Sequence, residues 1–432
     1  MVQVGATRAS RSAAPLLIAA VAATVRGEPA LAETFLVDPA SRAKCIDGST
    51  PRYWYQPATA PAASSKWAVH MQGGGWCESL SSCADRGYSA QGCLLGSSDS
   101  ACFGTRGQPF APRMSLLDVP TCEGARWCGA LMLNDPTGNP LAAGWNKLYI
   151  PYCDGGSFGG RNLTATLTSW SGKLANGTRL ANVTVPLHFR GRINLEAVVD
   201  AALNRHGLDT ATDVLVGGDS AGGLATYWSA DWWATKVPKS ARFGVAPDSG
   251  MFLNASVPNG SVWRENLGWV VSQMNATASL DASCLTARPD DPTGCMFPDV
   301  TLPHIAAPVF VMQGMADPTM GNIVGAGKNN ASRLIARAEI KDRVGAAVHA
   351  RPHNAAFLTM CEEHCGQWGT GQRVSTAHPL ASDDFNVTID GVTGHQAVAI
   401  WYADLVTKRT EGRIWTQQAG FPCATCCSGG NA

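Results

Sequence analysis

The pentad Gly218-Asp219-Ser220-Ala221-Gly222 holds the most chemical promise in this chain. It is a G-x-S-x-G sequence between an apolar run, Asp213 to Val216, and a helical run, Leu224 to Ala234. That context predicts a tight strand-to-helix turn that lifts the serine hydroxyl clear of a sheet. The unpaired N–H groups at the start of the helix would favour negative charge developing beside Ser220. The plainer reading is a glycine-rich turn with a spectator serine, and the flanking elements and the partner residues below weigh against it.

A serine hydroxyl is a weak nucleophile until a base takes its proton, and the base needs an orienting carboxylate. With a G-x-S-x-G turn the chain order is serine, acid, histidine. Of the nine histidines, that order leaves His349, His353, His364, His378 and His395. Asp317 is the preferred acid, because it closes the segment Val311 to Pro318 just past an apolar strand. Asp248, in Pro247-Asp248-Ser249-Gly250, is its rival, and either aspartate also fits a plain turn cap. His364 is the preferred base, because Cys361 and Cys365 lie close enough to pin its loop. His395 is the alternative, although it opens the last amphipathic helix. Cys361, His364 and Cys365 also invite a metal reading, but an oxidising compartment favours disulfides over free thiolates. No metal is assigned.

Gln72-Gly73-Gly74-Gly75-Trp76-Cys77 follows another strand-like run. A glycine run there can lend backbone N–H groups to a tetrahedral oxyanion, so Gly74, Gly75 and Ala221 are the expected donors. The run lacks the Lys-Ser/Thr ending of a phosphate loop and the spacing of a dinucleotide fingerprint, so no cofactor is expected. Trp76 and Trp127 are loop candidates for stacking on a sugar ring, with simple burial as the other reading. Trp228, Trp232 and Trp233 read as helix packing.

The elements that must hold these residues are short and apolar. Trp67 to Gln72, Lys147 to Tyr152, Asp213 to Val216, Phe243 to Ala246 and Pro308 to Met312 read as strands buried on both faces of a parallel sheet. Leu195, Val198, Val199, Ala202 and Leu203 repeat with helical spacing, as do Val398, Trp401, Tyr402 and Leu405. Alternating strands and helices predict an α/β layered fold, with loops at the carboxyl ends of the strands building the site. Segments 85–143, 160–186 and 254–302 are rich in Gly, Pro, Ser, Asn and Cys, and read as long surface insertions.

Composition narrows the function class. Charged residues are 15% of the 432, well under the usual ~25%, and 33 basic residues balance 33 acidic ones. A nucleic-acid binder held by bulk charge and a charge-driven disordered chain are both excluded. The 15 cysteines are too dilute for a small disulfide scaffold and too many for a typical cytosolic enzyme. Arg8, Arg11, the apolar run from Ala13 to Val25 and Ala30-Leu31-Ala32 predict a cleaved leader over residues 1–32. Eight N-x-S/T sequons, at Asn162, Asn176, Asn182, Asn254, Asn259, Asn275, Asn330 and Asn386, support a secreted, N-glycosylated protein. No later run is long enough for a membrane span. The expected organisation is one domain over 33–410 and a Cys-rich tail over 411–432. An odd cysteine count leaves at least one thiol without an internal partner.

The chain also resembles the pectin acetylesterase and Notum-like carboxylesterases. The resemblance rests on Gly73-Gly74-Gly75-Trp76-Cys77, Tyr152-Cys153-Asp154-Gly155-Gly156-Ser157-Phe158, Phe189-Arg190-Gly191, Ser220-Ala221-Gly222-Gly223, Asp248-Ser249-Gly250 and His364-Cys365, in that order. It implies an α/β-hydrolase fold, no metal, and Ser220, Asp317 and His364 as nucleophile, acid and base. It points to a secreted esterase that removes acetyl groups from a polysaccharide such as pectin. The alternatives are deacylation of a lipidated protein, as in the Notum-like members, and a non-catalytic binding protein on the same scaffold. The chain departs from the pattern at Asp219, where plant-type members carry Cys and Notum-like members Ser. That carboxylate would either perturb the base or face solvent.

Overall fold

The computed structural model describes residues 32–90, 96, 113–114, 130–132, 134, 136, 138–174, 176–254, 262–317, 319, 330–361, 364–366, 387–407 and 412–418. The expected leader up to Leu31, Trp127, Cys93, Cys102, Cys122, Cys128, Asn259, Asn386 and the Cys423–Cys427 stretch lie outside them.

In chain order the strands are β1 (Ala32–Leu36), β2 (Arg52–Gln56), β3 (Lys66–Met71), β4 (Arg113–Met114), β5 (Asn146–Ile150), β6 (Asn162–Lys173) and β7 (Arg179–Phe189). They continue with β8 (Asp213–Asp219), β9 (Arg242–Asp248), β10 (Phe310–Gly314), β11 (Ala355–Thr359), β12 (Thr388–Ile389), β13 (Val392–Thr393) and β14 (Ile414–Thr416). The helices are α1 (Leu80–Tyr88), α2 (Gly191–His206), α3 (Ala221–Ala234), α4 (Val262–Gln273), α5 (Ala282–Ala287), α6 (Pro298–Thr301), α7 (Asn330–His349) and α8 (Gly394–Thr407).

Ten strands form one sheet in the order β14-β11-β10-β9-β8-β3-β5-β2-β1-β4. Pairing is parallel from β14 through β5 and antiparallel from β5 to β4. The five strand-like runs of the sequence are the five contiguous strands β10, β9, β8, β3 and β5. Every residue of β8 is buried, as a central parallel strand requires.

Side-chain alternation divides the core in two. Trp67, Val69, Val214, Val216 and Val311 face α2, α3 and α7, and the helical repeat Leu195, Val198, Val199 and Ala202 packs there. Ala68, Leu215, Phe310, Met312 and Phe357 face α8 through Val398, Trp401 and Tyr402. The two readable insertions turn out to be regular. Residues 160–186 build most of a two-stranded antiparallel hairpin, β6–β7, that packs on α1. Residues 254–302 hold α4, α5 and α6. Their polar composition masked strands of alternating exposure and short helices.

Register decides where the loops emerge. Met71 lies opposite Gly218, Asp219 opposite Asp248, Asp248 opposite Met312, and Gly314 opposite Thr359. The chain therefore leaves β3, β8, β9, β10 and β11 at one level along one edge.

Candidate active site

Ser220 sits between β8 and α3 with φ 52° and ψ −118°, a backbone that L side chains rarely adopt. Its surroundings hold it there. The Ser220 N–H donates to the Asp248 carbonyl at 2.9 Å, and the Ser220 carbonyl takes the first helical bond of α3. A Cβ on Gly222 would lie 2.1 Å from the Met71 carbonyl oxygen, so only glycine lets α3 start this close beneath β3.

The three residues expected to act together are in contact. The Ser220 hydroxyl donates to His364 Nε2 at 2.7 Å, and His364 Nδ1 donates to Asp317 Oδ2 at 2.8 Å. Asp317 is fully buried and is fixed by Gln313 Nε2 at 3.1 Å and by the Thr319 N–H at 2.8 Å. Burial alone would pull the imidazole pKa down. The charge and hydrogen bond of Asp317, reinforced by Asp248 and Asp219, outweigh it, and His364 lies above its ordinary value.

Asp248, the rival acid, orients the loop rather than the ring. It accepts from the Gly366 N–H at 2.9 Å and from Ser249 Oγ at 2.9 Å, and Ser249 Oγ accepts from the Cys365 N–H at 2.8 Å. The expectation that two cysteines pin the histidine loop needs correcting. Cys361 is in a disulfide and offers no thiolate, whereas Cys365 is a free buried thiol held through its backbone. His395 is buried at the head of α8, in the helix-start place its sequence suggests.

Around the glycine run, the carbonyls of Gly74 and Gly75 are turned inward. Arg86 Nη2 donates to Gly74 O at 2.5 Å and Tyr152 Oη to Gly75 O at 2.8 Å. In a trans peptide the N–H points opposite its carbonyl, so the Arg86 bond aims the Gly75 N–H away from Arg86. Among the described residues the N–H groups of Gly74, Gly75 and Ala221 meet no acceptor. Gly75, Trp76, Glu78, Ser220, Trp263, Asn266, Thr319 and His364 line a cavity of ≈ 370 Å³. Trp76 is half-buried. Its Nε1 donates to Ser157 Oγ at 2.7 Å, and its ring meets Phe252 and Trp263 edge to face. Much of Trp76 is thus committed to packing, with one part left on the cavity wall.

A hydroxyl on a base, a base on a buried carboxylate, and free N–H groups beside an open cavity are the parts for acyl transfer. Comparison with known proteins agrees. A profile of the family described as pectinacetylesterase matches residues 27–104 and 121–428. The chain belongs to the pectinacetylesterase family. Pectin acetylesterase 5 of Arabidopsis thaliana is 33% identical over 274 residues, which is 63% of this chain and 54% of that protein. The chain spans about half the length of the first two curated relatives it matches. Pectin acetylesterase 11 of the same plant is 27% identical over 413 residues, 90% of this chain and 92% of that one. The Wnt deacylase Notum from Drosophila superimposes with a TM-score of 0.64 over 92% of this chain and 98% of that one. At 17% identity that likeness is one of fold, and it places the chain in the α/β-hydrolase class.

Asp219, where the sequence departs from the pattern it resembles, does not face solvent, and its charge helps raise the His364 pKa without contacting the ring. It is buried, accepts from His70 Nε2 at 2.8 Å, and accepts from the Gly73 N–H at 3.2 Å. It ties the serine turn to the glycine run. Arg86, Tyr152 and His70 are further residues that shape the site, and sequence reasoning did not find them. Only Tyr152 carried a signal, by opening the Tyr152 to Phe158 stretch. Arg86 sits inside a segment of unremarkable loop composition, and His70 inside a strand.

Proposed function

We propose that this chain is a serine carboxylesterase that removes acetyl groups from an O-acetylated polysaccharide and reaches its substrate through the secretory pathway. The observation that carries the proposal is the unbroken line Ser220–His364–Asp317 opening on the cavity. Ser220 Oγ attacks the acetyl carbonyl while His364 Nε2 takes its proton, and Asp317 stabilises the resulting imidazolium. The N–H groups of Gly74, Gly75 and Ala221 hold the oxyanion. His364 returns the proton to the departing sugar hydroxyl. Water then adds to the acyl-serine with His364 again as base, and acetate leaves as Ser220 regains its proton.

An acetyl group on a polyhydroxylated substrate suits a cavity edged by Glu78, Asn266 and Thr319, and several relatives are pectin acetylesterases. Export is supported by the leader-like pattern of residues 1–32, by the sequons, and by the disulfides Cys45–Cys153, Cys77–Cys83 and Cys284–Cys295. Asn176, Asn182 and Asn275 are exposed. No described helix is long and apolar enough to cross a membrane.

The test is acetate release from an acetylated glycan, with Ser220→Ala beside the native chain. A fall of about 10⁴-fold or more is expected, and a fluorophosphonate probe should label Ser220 alone. A nitrophenyl ester series should favour acetate over long acyl chains. Undiminished hydrolysis by the alanine variant would refute the mechanism.

A further inference from the structure

The cavity beside Ser220 carries a negative group held where the rest of a substrate must lie. Glu78 lines it together with Ser220 and His364. Its backbone has little freedom. The preceding Cys77 is bonded to Cys83, and the Glu78 N–H donates to Ser82 Oγ at 3.0 Å in the first turn of α1. Asn266, whose side-chain amide can donate and accept, lines the same cavity. Among the described lining residues there is no lysine or arginine to balance Glu78. The nearby guanidinium of Arg86 is engaged with Gly74 O and lies over the Tyr152 ring, 5.0 Å from its centroid. Beneath the floor, Asp219, Asp248 and Asp317 add field of the same sign at His364.

We propose that Glu78 makes this site select acetyl esters on uncharged sugar units, and reject those whose neighbouring unit bears a free carboxylate. This rests on the esterase reading above and deepens it. The preferred substrate class is a neutral acetylated glycan, or a polyuronate whose carboxyls are methyl-esterified. On a neutral sugar, Glu78 accepts hydroxyl hydrogen bonds and Asn266 both donates and accepts, so the pair binds polyhydroxylated units. On a free uronate the same carboxylate, exposed at the rim of the cavity, faces a like charge, which costs roughly a threefold to tenfold loss in kcat/KM.

The experiment measures acetate release from three substrates: an acetylated neutral glucomannan, an acetylated polygalacturonate with free carboxyls, and the same polygalacturonate after methyl esterification. Nitrophenyl acetate is the small neutral reference. The native chain should favour the glucomannan and the methyl ester over the free acid. The gap should narrow between about 0.01 and 1 M salt, as the Debye length falls from about 30 to 3 Å. Glu78→Gln should raise the ratio of free-acid to methyl-ester rates about threefold to tenfold, and Glu78→Lys should raise it further. Equal rates on the two polygalacturonates, or a ratio indifferent to both substitutions while nitrophenyl acetate is still cleaved, would overturn the assignment. Absence of cleavage of every acetyl ester, the reference included, would instead remove the esterase reading and this inference with it.

Discussion

Asp219→Ala should damage the site without touching any reacting atom. Asp219 Oδ1 accepts two buried hydrogen bonds, from His70 Nε2 and from the Gly73 N–H. Truncation leaves both donors without an acceptor. His70 gains nothing by moving its proton, because Nδ1 also lacks a partner among the described residues. Each stranded donor costs about 1–3 kcal/mol, so the variant should lose about 2–6 kcal/mol of a typical 5–15. The glycine run would then be free to drift, and losing one oxyanion donor costs about 10²–10³-fold, which sets the ceiling on the kcat loss. A fall of about 10–100-fold in kcat with little change in KM is expected, because the donors act on the transition state. Asp219→Asn should recover much of this loss, since its amide oxygen still accepts from Gly73. Both variants remove a negative charge that helps hold the His364 pKa up, so both should move the acid limb of the rate profile to lower pH. The assays are urea unfolding and pH-resolved kinetics on nitrophenyl acetate. Native stability and kcat in Asp219→Ala, or an acid limb that moves upward, would refute the reasoning.

Asp317→Asn should cut kcat by about 10⁴-fold with the fold intact, because it favours the wrong imidazole tautomer; near-native turnover would return the role to Asp248. The native rate should fall on the acid side through a pKa above 6.5, because only neutral His364 accepts the Ser220 proton and its carboxylate neighbours favour the charged form; a midpoint below 6.5 would contradict this. Asp154 has a folded pKa raised by burial to about 7 from 3.8, so this group alone makes the fold less stable as pH climbs through that window; Asp154→Asn should flatten the trend in denaturation midpoints between pH 4 and 7. Cys365 is buried and its pKa is pushed far up, first by burial and then by Asp219, Asp248 and Asp317; activity should survive iodoacetamide, and rapid inactivation with alkylated Cys365 would disprove that.

The middle of the fold and the reacting line could be read from the sequence for one reason. Strands buried on both faces must be mostly apolar, and β10, β9, β8, β3 and β5 are, with His70 and Lys147 among their buried polar residues. The outer strands β2 and β14 gave no such pattern, since they lie toward the sheet margins and mix half-buried with buried positions. The hairpin β6–β7 was hidden by its exposure, because alternating polar residues resemble loop composition. Ser220 and His364 were found through local motifs. Their supporting network was not, because Asp219–His70 and Arg86–Gly74 depend on how distant segments meet. Asp219 drew notice only as a departure, and nothing in its neighbours named His70.

The reacting groups are adjacent in space but far apart along the chain. Ser220 and His364 are 144 residues apart, and Asp219 and Gly73 are 146 apart. A growing polypeptide that has emerged only as far as α3 holds a serine with no proton acceptor, and gains one only when the segment after β11 docks beside β10. Such long-range closure is slow compared with local helix formation. On the proposed mechanism reactivity is therefore withheld until assembly of the sheet is nearly finished, and a half-folded molecule carries an inert alcohol instead of an uncontrolled acyl acceptor.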